Sequence, residues 1–289
     1  MIWVIGCNGM LGKEITCLLN DQNIKYVSSD IEVDITNVSK LRDFTTNKNI
    51  SWIINCSAYT AVDKAEDEVD LCYKINHIGV KNIAIISKEI SAKLIHISTD
   101  YVFSGIEDKP LNENDITEPV SVYGKSKLAG ENEIKSICTE YFIIRTAWLY
   151  GKYGKNFVYT MIKLFNERSQ LKVVNDQYGS PTNAEGLAHL IFKICSENSQ
   201  KYGIYHYTDE GRINWYEFSK KIYQFAKEYS IISNEVEIIE VGSSEYLTKA
   251  KRPFFSYMDK SKVKSIYSEA VLNWEVQLKI FFDKYEQFN

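Results

Sequence analysis

The sequence has few prolines, no clustered cysteines and no block of positive charge. Its four prolines lie at positions 110, 119, 181 and 253, each in a plausible loop, so no proline-rich linker is present. The six cysteines, at positions 7, 17, 56, 72, 138 and 195, include no CxxC pair and no histidine at metal-ligand spacing. This argues against a zinc-ribbon type of site and predicts free thiols in a reducing compartment, so we expect a cytoplasmic protein.

Charge and the length of hydrophobic runs exclude two further classes. The formal net charge is -4 and the lysines and arginines are spread along the chain, so we expect no nucleic-acid partner. No stretch approaches the roughly 18 apolar residues of a membrane span, and the first residues resemble no signal peptide, so we expect no membrane partner. With 289 residues and 45% hydrophobic content, the chain can bury one large domain or two unequal ones.

Short apolar runs alternate with helix-like segments in the first half of the chain. Runs rich in Ile and Val occur at residues 2–6, 24–29, 52–57, 93–98 and 141–146. Each run is continuously apolar, as expected for a strand that is buried on both faces. Between two of them, residues 71–90 place apolar side chains at helical spacing. The alternation predicts βαβ units and an α/β fold with a doubly wound parallel sheet.

The pattern changes after about residue 150, where helical stretches dominate. These cover residues 156–169, 183–195 and 214–229, with strand candidates at 171–174, 203–207 and 236–241 between them. We therefore expect one domain over residues 1–150 and a smaller α/β part over residues 151–289, from which a segment at roughly 170–200 returns to the first sheet. The boundary carries no low-complexity linker.

The first strand runs directly into the sequence GCNGMLG, which places Gly6, Gly9 and Gly12 between a strand and a helix. Glycine suits this position because a pyrophosphate must approach the backbone closely and the helix N-terminus offers it free N–H groups. Asp30 follows Gly12 by 18 positions, where a carboxylate accepts hydrogen bonds from the adenosine ribose and repels a 2′-phosphate. The motif predicts a dinucleotide site with a slight preference for NADH over NADPH, unless Ser29 stands at the strand end instead.

Two polar loops follow later strands, at the sheet edge where open α/β folds bind their ligands. The loop at residues 55–66 contains Asp63 and Glu66, whose spacing fits a helix capping box, and we favour that structural role over a catalytic one. In the loop at residues 98–105, the hydroxyl of Thr99 can donate a hydrogen bond to a carbonyl oxygen on which charge develops.

The sequence YGKSK places Tyr123 and Lys127 four residues apart, so that in a helix they lie one turn apart on the same face. A phenol has a pKa of about 10 and needs a nearby cation to stabilise its phenolate before it can act as a general acid or base near pH 7. An exposed Tyr beside a solvated Lys would give the same pattern. Together with the dinucleotide turn and the Thr99 hydroxyl, however, these residues form the set that a carbonyl reductase requires.

The chain resembles the extended short-chain dehydrogenases/reductases, and within them it is similar over nearly its whole length to the dTDP-4-dehydrorhamnose reductase family. The matching segments, in order, are GCNGMLG, EVDIT, SAYTAVDKAE, KINHIGVKNIA, HISTDYVFSG, PVSVYGKSKLAGE, RTAWLYG, DQYGSPT, GIYHYTDEGRINWYEFS and KRPFFSYMDKSKV. The resemblance implies a Rossmann-type first domain, a mainly substrate-binding second one, and reduction by NADH or NADPH of the C4 keto group of a nucleotide-activated 6-deoxy sugar. The substrate implied is dTDP-4-dehydro-L-rhamnose, which becomes dTDP-L-rhamnose for cell-surface polysaccharide biosynthesis.

The resemblance also implies roles for individual residues. Tyr123 would donate the proton, Lys127 would hold the nicotinamide ribose and lower the pKa of Tyr123, and Thr99 would polarise the substrate carbonyl. Asp100 and Trp148 match positions that contact the sugar nucleotide, although a Trp at the end of a buried strand is often only part of the core. Besides the glycines and Asp30, the cofactor positions are Met10 and Leu11 in the phosphate turn, Asp34 and Ile35 on the adenine side, and Ala58, Tyr59 and Thr60 in the loop after the third strand.

Two positions bear on the reaction and on the substrate. Sugar-nucleotide 4,6-dehydratases of this superfamily typically carry Thr-Asp-Glu, whereas Tyr101 stands here where the Glu would be, so reduction is favoured over dehydration. Phe255, in RPFFS, departs from the Asn that is common in this stretch of the family, so the exact sugar nucleotide is less firmly implied than the reaction.

The sequence gives only weak indications of metal binding and of the oligomeric state. Some relatives dimerise around a metal through acidic residues, and Glu14 and Glu185 stand where such contacts would arise, but an exposed helix glutamate is the simpler interpretation of either. Mg²⁺ has no support from residue spacing, and we expect a monomer or a homodimer. Two alternatives stay open: a reductase of a UDP-linked deoxy or amino sugar, and a non-catalytic cofactor-binding relative that regulates a partner enzyme.

Overall fold

The structure, a computed structural model, describes residues 1–268 and 271–285. The strands are β1 (Ile2–Ile5), β2 (Tyr26–Ser29), β3 (Trp52–Asn55), β4 (Lys93–Thr99), β5 (Tyr141–Thr146), β6 (Leu149–Tyr150), β7 (Gln170–Val174), β8 (Tyr178–Gly179), β9 (Thr182–Asn183), β10 (Gly203–His206), β11 (Ile213–Asn214) and β12 (Glu237–Val241). The α-helices are α1 (Met10–Asp21), α2 (Val38–Thr45), α3 (Val62–Ala65), α4 (Val69–Tyr73), α5 (Val80–Glu89), α6 (Val122–Ile137), α7 (Phe157–Glu167), α8 (Ala184–Ser196), α9 (Trp215–Glu228), α10 (Ser261–Ile266) and α11 (Trp274–Asp283). A π-helical stretch, Lys74–Gly79, joins α4 to α5.

Within the described residues, six strands form one parallel sheet in the order β10-β5-β4-β3-β1-β2. The five apolar runs of the first half became β1 to β5, which confirms the predicted Rossmann-type α/β fold. Every residue of β1 and β3 is buried, as a strand covered on both faces requires. Because β1 pairs with β2 on one side and β3 on the other, the connections diverge there and leave a crevice at the carboxyl ends of the strands.

Helices cover both faces of this sheet. On one face α1 and α8 pack together over a core that includes Val4, and on the other face α2, α5 and α6 pack over Trp3 and Ile5. Neighbouring residues of β1 thus point to opposite layers, as the pleat of a strand dictates. No helix in residues 1–268 and 271–285 combines the length and apolar character needed to cross a bilayer.

The later part of the chain builds a second, smaller core. The parallel pair β7 and β12 packs with α7, α9 and α11 around a cluster rich in aromatic side chains, among them Phe165, Phe218 and Phe281. The chain meets the first sheet again at α8 and β10, whereas β7, which opens the predicted return segment, belongs to the smaller sheet. A domain boundary at about residue 150 stays a prediction.

Candidate active site

The turn between β1 and α1 leaves no room for a side chain at Gly6, nor does the first turn of α1 at Gly12. Gly6 has a φ of +78°, and a Cβ on it would lie 2.7 Å from the backbone nitrogen of Ser57. A Cβ on Gly12 would collide with the carbonyl oxygen of Gly6. The helix begins at Met10, and its cap residue Gly9 has no side chain to occupy the free N–H groups of the first turn. The turn is therefore a cradle in which backbone N–H groups and the helix dipole favour an anion.

A cavity of about 520 Å³ opens from this turn along the carboxyl ends of β4 and β5. Its wall includes the predicted residues Gly9, Met10, Leu11, Gly12, Ala58, Thr60, Thr99, Asp100, Tyr123, Lys127 and Trp148. A second cavity, of about 340 Å³, is lined by Gly6, Asp30, Asp34 and Ile35. The two cavities share Gly9, Cys56 and Ala58, so one extended ligand can run from the first into the second across the glycine turn.

Asp30 is the acidic residue at the end of β2. Its Oδ2 accepts a hydrogen bond from the backbone N–H of Asn8 at 2.8 Å, and its Oδ1 accepts one from the N–H of Ile31 at 2.9 Å. Ser29 is buried instead, and its hydroxyl accepts a hydrogen bond from the indole N–H of Trp3 at 2.9 Å. Of the two residues between which the sequence left a choice, Asp30 is therefore the one that borders the cavity.

Three of the expected cofactor residues have other contacts as well. The carboxylate of Asp34 accepts hydrogen bonds from the hydroxyl and backbone N–H of Thr36, at 2.8 and 2.9 Å, which lower the pKa of Asp34. Ile35 is buried and belongs to the core beneath the sheet. Tyr59 lies outside both cavity walls, and its hydroxyl donates a hydrogen bond to Glu68 at 2.6 Å. The hydroxyl of Tyr59 is thus already paired with Glu68.

The prediction that Asp63 and Glu66 form a capping box is wrong. Asp63 lies inside the first turn of α3, and the cap residue Ala61 makes no side-chain hydrogen bond. The Glu66 carboxylate accepts a hydrogen bond from the N–H of Val122 at 2.9 Å, and Asp63 forms an ion pair with Arg252 at 2.8 Å. Both carboxylates bind groups that are distant in the sequence: a free backbone N–H at the start of α6 and the guanidinium of Arg252. Spacing along the chain does not reveal such partners.

The Tyr and Lys of YGKSK lie on the helix α6, which meets the condition under which their spacing places them on one face. Ser121 caps α6, because its hydroxyl accepts a hydrogen bond from the N–H of Gly124 at 3.1 Å. Tyr123 and Lys127 lie one turn apart on the face that lines the cavity. The Lys127 Nζ donates a hydrogen bond to the carbonyl of Ile97 at 2.6 Å. Burial lowers the pKa of Lys127 to about 8.

The environment of the Tyr123 hydroxyl differs from the expected one. Burial raises the pKa of Tyr123 well above 10, a hydrogen bond with Thr99 opposes this rise, and the charge of Asp100 adds to it. The ring of Tyr101 stands edge-on to the ring of Tyr123, with centroids 5.5 Å apart. The expected lowering of the Tyr123 pKa by Lys127 is therefore not observed in this structure, where burial outweighs any effect of the lysine.

Thr99 and Asp100 form a short hydrogen-bonded unit at the end of β4. The hydroxyl of Thr99 donates to Oδ1 of Asp100 at 3.0 Å and accepts from the N–H of Tyr101 at 3.2 Å. The other oxygen of Asp100, Oδ2, is buried and makes no hydrogen bond with the described residues. Burial raises the pKa of Asp100 to about 6, while the hydroxyls of Ser256 and Thr99 oppose the rise. A buried carboxyl oxygen on a cavity wall is a natural ligand contact, because leaving it unpaired costs free energy.

Trp148 is part of the cavity wall as well as of the protein core. It has a left-handed φ of +48°, and its ring stacks on that of Trp215. A Cβ on Gly179 would lie 2.9 Å from the hydroxyl of Ser256 and 3.0 Å from the Trp148 ring, so a larger residue there would require these side chains to shift. Phe255 stacks on Tyr178 at 5.9 Å and lies outside the two cavity walls.

Four residues around the site were missed by sequence reasoning. His96 contacts the Lys127 Nζ at 3.3 Å, and Arg145 forms a fully buried ion pair with Glu131, one turn beyond Lys127 on α6. Trp215 stacks behind Trp148. For His96 and Arg145 the available signal was a polar or charged residue inside an otherwise apolar segment, KLIHIS and YFIIRT, because such groups need partners when they are buried.

The two weak metal candidates lie close to each other and to cations. Burial and the charge of Glu185 raise the pKa of Glu14. Glu185 forms an ion pair with Lys284, and its Oε1 lies 3.9 Å from Nε2 of His189. Among the residues that the structure describes, no group of three or more His, Cys, Asp or Glu side chains is placed to hold a metal ion.

Comparison with known proteins gives consistent results over the whole chain. The family model described as the RmlD substrate binding domain matches residues 1–287. The dTDP-4-dehydrorhamnose reductase of Aggregatibacter actinomycetemcomitans is 36% identical over 282 residues, which cover 96% of each chain. A Bacillus subtilis spore coat polysaccharide biosynthesis protein, SpsK, is 36% identical over 89% of this chain and 88% of its own.

Solved structures agree with the sequence matches. A dTDP-4-dehydrorhamnose reductase from Clostridium acetobutylicum is 39% identical, with a TM-score of 0.93 over 99% of both chains. The Bacillus anthracis dTDP-4-dehydrorhamnose reductase, solved in complex with NADP, is 39% identical with a TM-score of 0.92 over 98% of both chains. The similarity therefore covers both the sheet with the glycine turn and the smaller C-terminal core.

Proposed function

Because the chain belongs to the RmlD substrate-binding-domain family, we propose that it is an NAD(P)H-dependent oxidoreductase that converts dTDP-4-dehydro-L-rhamnose to dTDP-L-rhamnose for polysaccharide biosynthesis. The observation that carries this proposal is the meeting of Tyr123, Lys127 and Thr99 on a cavity that begins at the glycine turn. Relatives and solved structures named as dTDP-4-dehydrorhamnose reductases, at 36 to 39% identity, support the choice of sugar and nucleotide.

The residues at the crevice fit a nicotinamide dinucleotide. The cradle at Gly6 and Gly12 would hold its pyrophosphate, and Asp30 would accept hydrogen bonds from the adenosine ribose. Asp34 and Ile35 would border the adenine, and Ala58 and Thr60 would line the middle of the channel. When bound, the reduced nicotinamide supplies the hydride that the substrate carbonyl carbon receives.

Three side chains stabilise or neutralise the negative charge that develops on the substrate oxygen. Tyr123 donates its proton to that oxygen, and the burial that raises its pKa keeps the phenol protonated until the charge appears. Lys127, in its charged form, stabilises the phenolate that remains. The Thr99 hydroxyl turns from Asp100 towards the substrate oxygen and donates a hydrogen bond to it.

Asp100 and Trp148 would hold the sugar. The unpaired Oδ2 of Asp100 is placed to accept a hydrogen bond from a sugar hydroxyl, which would remove the penalty of its burial. The exposed part of the Trp148 ring offers an apolar surface to the face of the sugar. In this proposal, residues 1–150 form the cofactor-binding domain, onto whose sheet α8 and β10 pack, and the rest of residues 151–289 mainly binds the substrate.

The cellular setting follows from the chemistry of the chain. All six cysteines are free thiols, which fits a reducing compartment, and we place the enzyme in the cytoplasm, acting as a monomer or a homodimer on a nucleotide-sugar substrate. Neither a nucleic acid nor a membrane is part of this proposal.

The test is NADH or NADPH oxidation with dTDP-4-dehydro-L-rhamnose generated in situ, comparing the wild type with Tyr123→Phe. Removal of a general acid is expected to lower kcat by on the order of a hundredfold or more. If the wild type binds cofactor but reduces only a UDP-linked sugar, the proposed substrate is wrong and the proposed reaction stands. If it binds cofactor but reduces neither sugar, the protein is a non-catalytic relative.

A further inference from the structure

His96 contacts Lys127 through a ring nitrogen whose proton can be located. His96 lies on β4 and is fully buried, and burial lowers its pKa well below 6.5, so its imidazole is neutral and carries one N–H. One ring nitrogen, Nδ1, lies 3.0 Å from Nδ2 of Asn55, and the other, Nε2, lies 3.3 Å from Nζ of Lys127. The nitrogen that carries the proton donates, and the other can only accept.

The orientation of Asn55 decides between the two nitrogens. Its amide oxygen accepts hydrogen bonds from the backbone N–H of Ser57 at 3.0 Å and from the Ser57 hydroxyl at 2.6 Å. A backbone N–H can only donate, so turning the amide round would set two donors against each other. The amide nitrogen of Asn55 therefore donates to Nδ1 of His96, and the imidazole proton lies on Nε2.

The Nε2–H group of His96 consequently points at Lys127. An ammonium has three N–H donors and no acceptor, whereas a neutral amine has a lone pair that can accept. The contact is therefore a hydrogen bond only if Lys127 is neutral. If Lys127 is charged, the N–H of His96 and an N–H of the ammonium face each other and no hydrogen bond forms. The second partner of Nζ, the carbonyl of Ile97 at 2.6 Å, accepts a hydrogen bond from either form.

The carboxylate that acts on Lys127 is already engaged elsewhere. Glu131, one turn further along α6, accepts two hydrogen bonds from Arg145, at 3.0 and 2.7 Å, and one from the hydroxyl of Ser98 at 2.5 Å. This buried pairing with a guanidinium balances the charge of Glu131, so its attraction for an ammonium at Lys127 is weakened.

Three further groups near Lys127 are uncharged, whereas Asp100, whose pKa is about 6, adds a negative charge to the same cavity wall above that pH. Cys56 follows β3 and Cys72 lies on α4, and burial raises the pKa of both thiols, that of Cys56 to about 12. Tyr123, on the same face of α6, is a protonated phenol because burial raises its pKa. The pKa of Lys127 itself is lowered by burial to about 8, which agrees with the geometry of the contact with His96.

We propose that His96 favours the neutral amine form of Lys127 before the dinucleotide binds, and that this neutral form takes up one proton from solvent when NADH or NADPH binds. The inference rests on the proposed function for the identity of this ligand. A pyrophosphate in the glycine cradle adds negative charge to the cavity that Lys127 lines, and ribose hydroxyl oxygens accept hydrogen bonds from the ammonium. His96 is thus a positioning residue that acts through the protonation of Lys127, and cofactor binding is coupled to proton uptake.

The first experiment locates the imidazole proton and needs no cofactor. The chain has four histidines, so ¹⁵N-labelled histidine gives a simple two-bond ¹H–¹⁵N spectrum in which His96 is assigned by its loss in His96→Leu. We expect a protonated Nε2 and an unprotonated Nδ1 in the wild type. In Asn55→Asp an acceptor replaces the amide donor, so the proton should move to Nδ1. A protonated Nδ1 in the wild type would overturn the proposal.

The second experiment measures proton uptake by titration calorimetry of NADH and NADPH binding at pH 8, in buffers of different ionisation enthalpy. With a Lys127 pKa of about 8, half of the molecules are neutral, so uptake of about half a proton per site is expected. The dissociation constant should rise about tenfold between pH 7 and pH 9. Asn55→Asp gives Lys127 an acceptor and His96→Leu removes the opposing donor, so both should reduce the uptake.

A matched control uses His189, which is exposed on α8 and is not part of the cavity wall. His189→Leu should leave the proton uptake unchanged. Cofactor binding without proton uptake in the wild type would overturn this inference while the proposed function stands. If proton uptake is lost in Asn55→Asp but kept in His96→Leu, the loss comes from the added negative charge and not from His96. This result would also overturn the inference. Failure of both cofactors to bind would overturn the proposed function itself.

Discussion

The indole rings of Trp148 and Trp215 lie face to face, with centroids 3.7 Å apart and planes inclined by 16°. Trp148 has a φ of +48°, a region that bulky residues rarely adopt, so its neighbours must hold it there. Trp215 in turn packs on Phe157 at 4.6 Å, inside the smaller core. One wall of the candidate substrate site is thus braced by the C-terminal part of the chain.

Replacing Trp215 by leucine should weaken substrate binding more than it slows turnover. The stack contributes roughly 0.5–1.5 kcal/mol beyond burial, so KM for the sugar nucleotide should rise about 2- to 10-fold while kcat changes less. Steady-state kinetics with saturating cofactor measures both. Tyr216→Leu, the next residue on α9, is the matched control because its ring contacts Lys220 and not Trp148. A Trp215→Leu enzyme with unchanged KM would contradict the bracing role.

Asp30 should set the preference between the two cofactors. Its carboxylate borders the cavity next to the glycine turn, where it repels a 2′-phosphate, so NADH should be used at least as well as NADPH. Asp30→Asn keeps an acceptor for the Asn8 N–H and removes the charge, so the ratio of kcat/KM for NADPH to that for NADH should rise about tenfold. Glu32→Gln, which removes a neighbouring charge, serves as the comparison. If the ratio of kcat/KM for NADPH to that for NADH is unchanged in Asp30→Asn, the 2′-phosphate does not bind next to residue 30.

The buried carboxylate of Asp100 should lower the stability of the protein at high pH while it contributes to sugar-nucleotide binding. Its pKa is raised from 3.8 to about 6, so ionisation costs stability as the pH rises through that range and the full cost applies above it. Asp100→Asn should therefore be more stable than the wild type at pH 8, by about 1–3 kcal/mol, and should lose this advantage below pH 4. Thermal unfolding at the two pH values measures the difference, and sugar-nucleotide affinity should fall. Equal gains at both pH values would rule out ionisation as the cause.

The buried ion pair of Glu131 and Arg145 should be sensitive to the loss of one partner. Both side chains are at most 2% exposed, and they are joined by two hydrogen bonds. Glu131→Gln leaves a buried guanidinium without its counter-charge and should destabilise the protein by about 3–5 kcal/mol in denaturant unfolding.

The double variant Glu131→Gln with Arg145→Met tests this explanation. It removes both charges, so it should regain most of the stability that Glu131→Gln loses. If the double variant is as unstable as the sum of the two single variants, the two residues act independently and the pairing does not account for the effect.

Much of the fold could be predicted because its signals are local. The five strands of the first half appeared as continuous apolar runs, and the four-residue spacing of Tyr123 and Lys127 fits one face of a helix, which α6 provides. The glycine turn was equally clear, because GCNGMLG follows a strand and the structure leaves no space for a Cβ at Gly6 or Gly12.

The errors share one cause. Asp63 and Glu66 have the spacing of a capping box, but their partners are Arg252 and the start of α6. The resemblance implied that Lys127 lowers the pKa of Tyr123, whereas burial by surrounding elements raises the net pKa of Tyr123 in this structure. In each case a local pattern was outweighed by groups that tertiary packing brings close.

The sequence by itself determined the order of strands and helices, the anion cradle and the presence of a phenol and an amine on one helix face, because these depend on periodicity and on backbone conformation within a few residues. Only the tertiary structure decided that Asp30 and not Ser29 borders the cavity, that Trp148 is braced by Trp215, and that Asn55 directs the proton of His96 towards Lys127. These relationships join residues on separate strands and helices. They exist only after the sheet and the C-terminal core have packed, since hydrogen bonding and burial depend on distance in space and not along the chain.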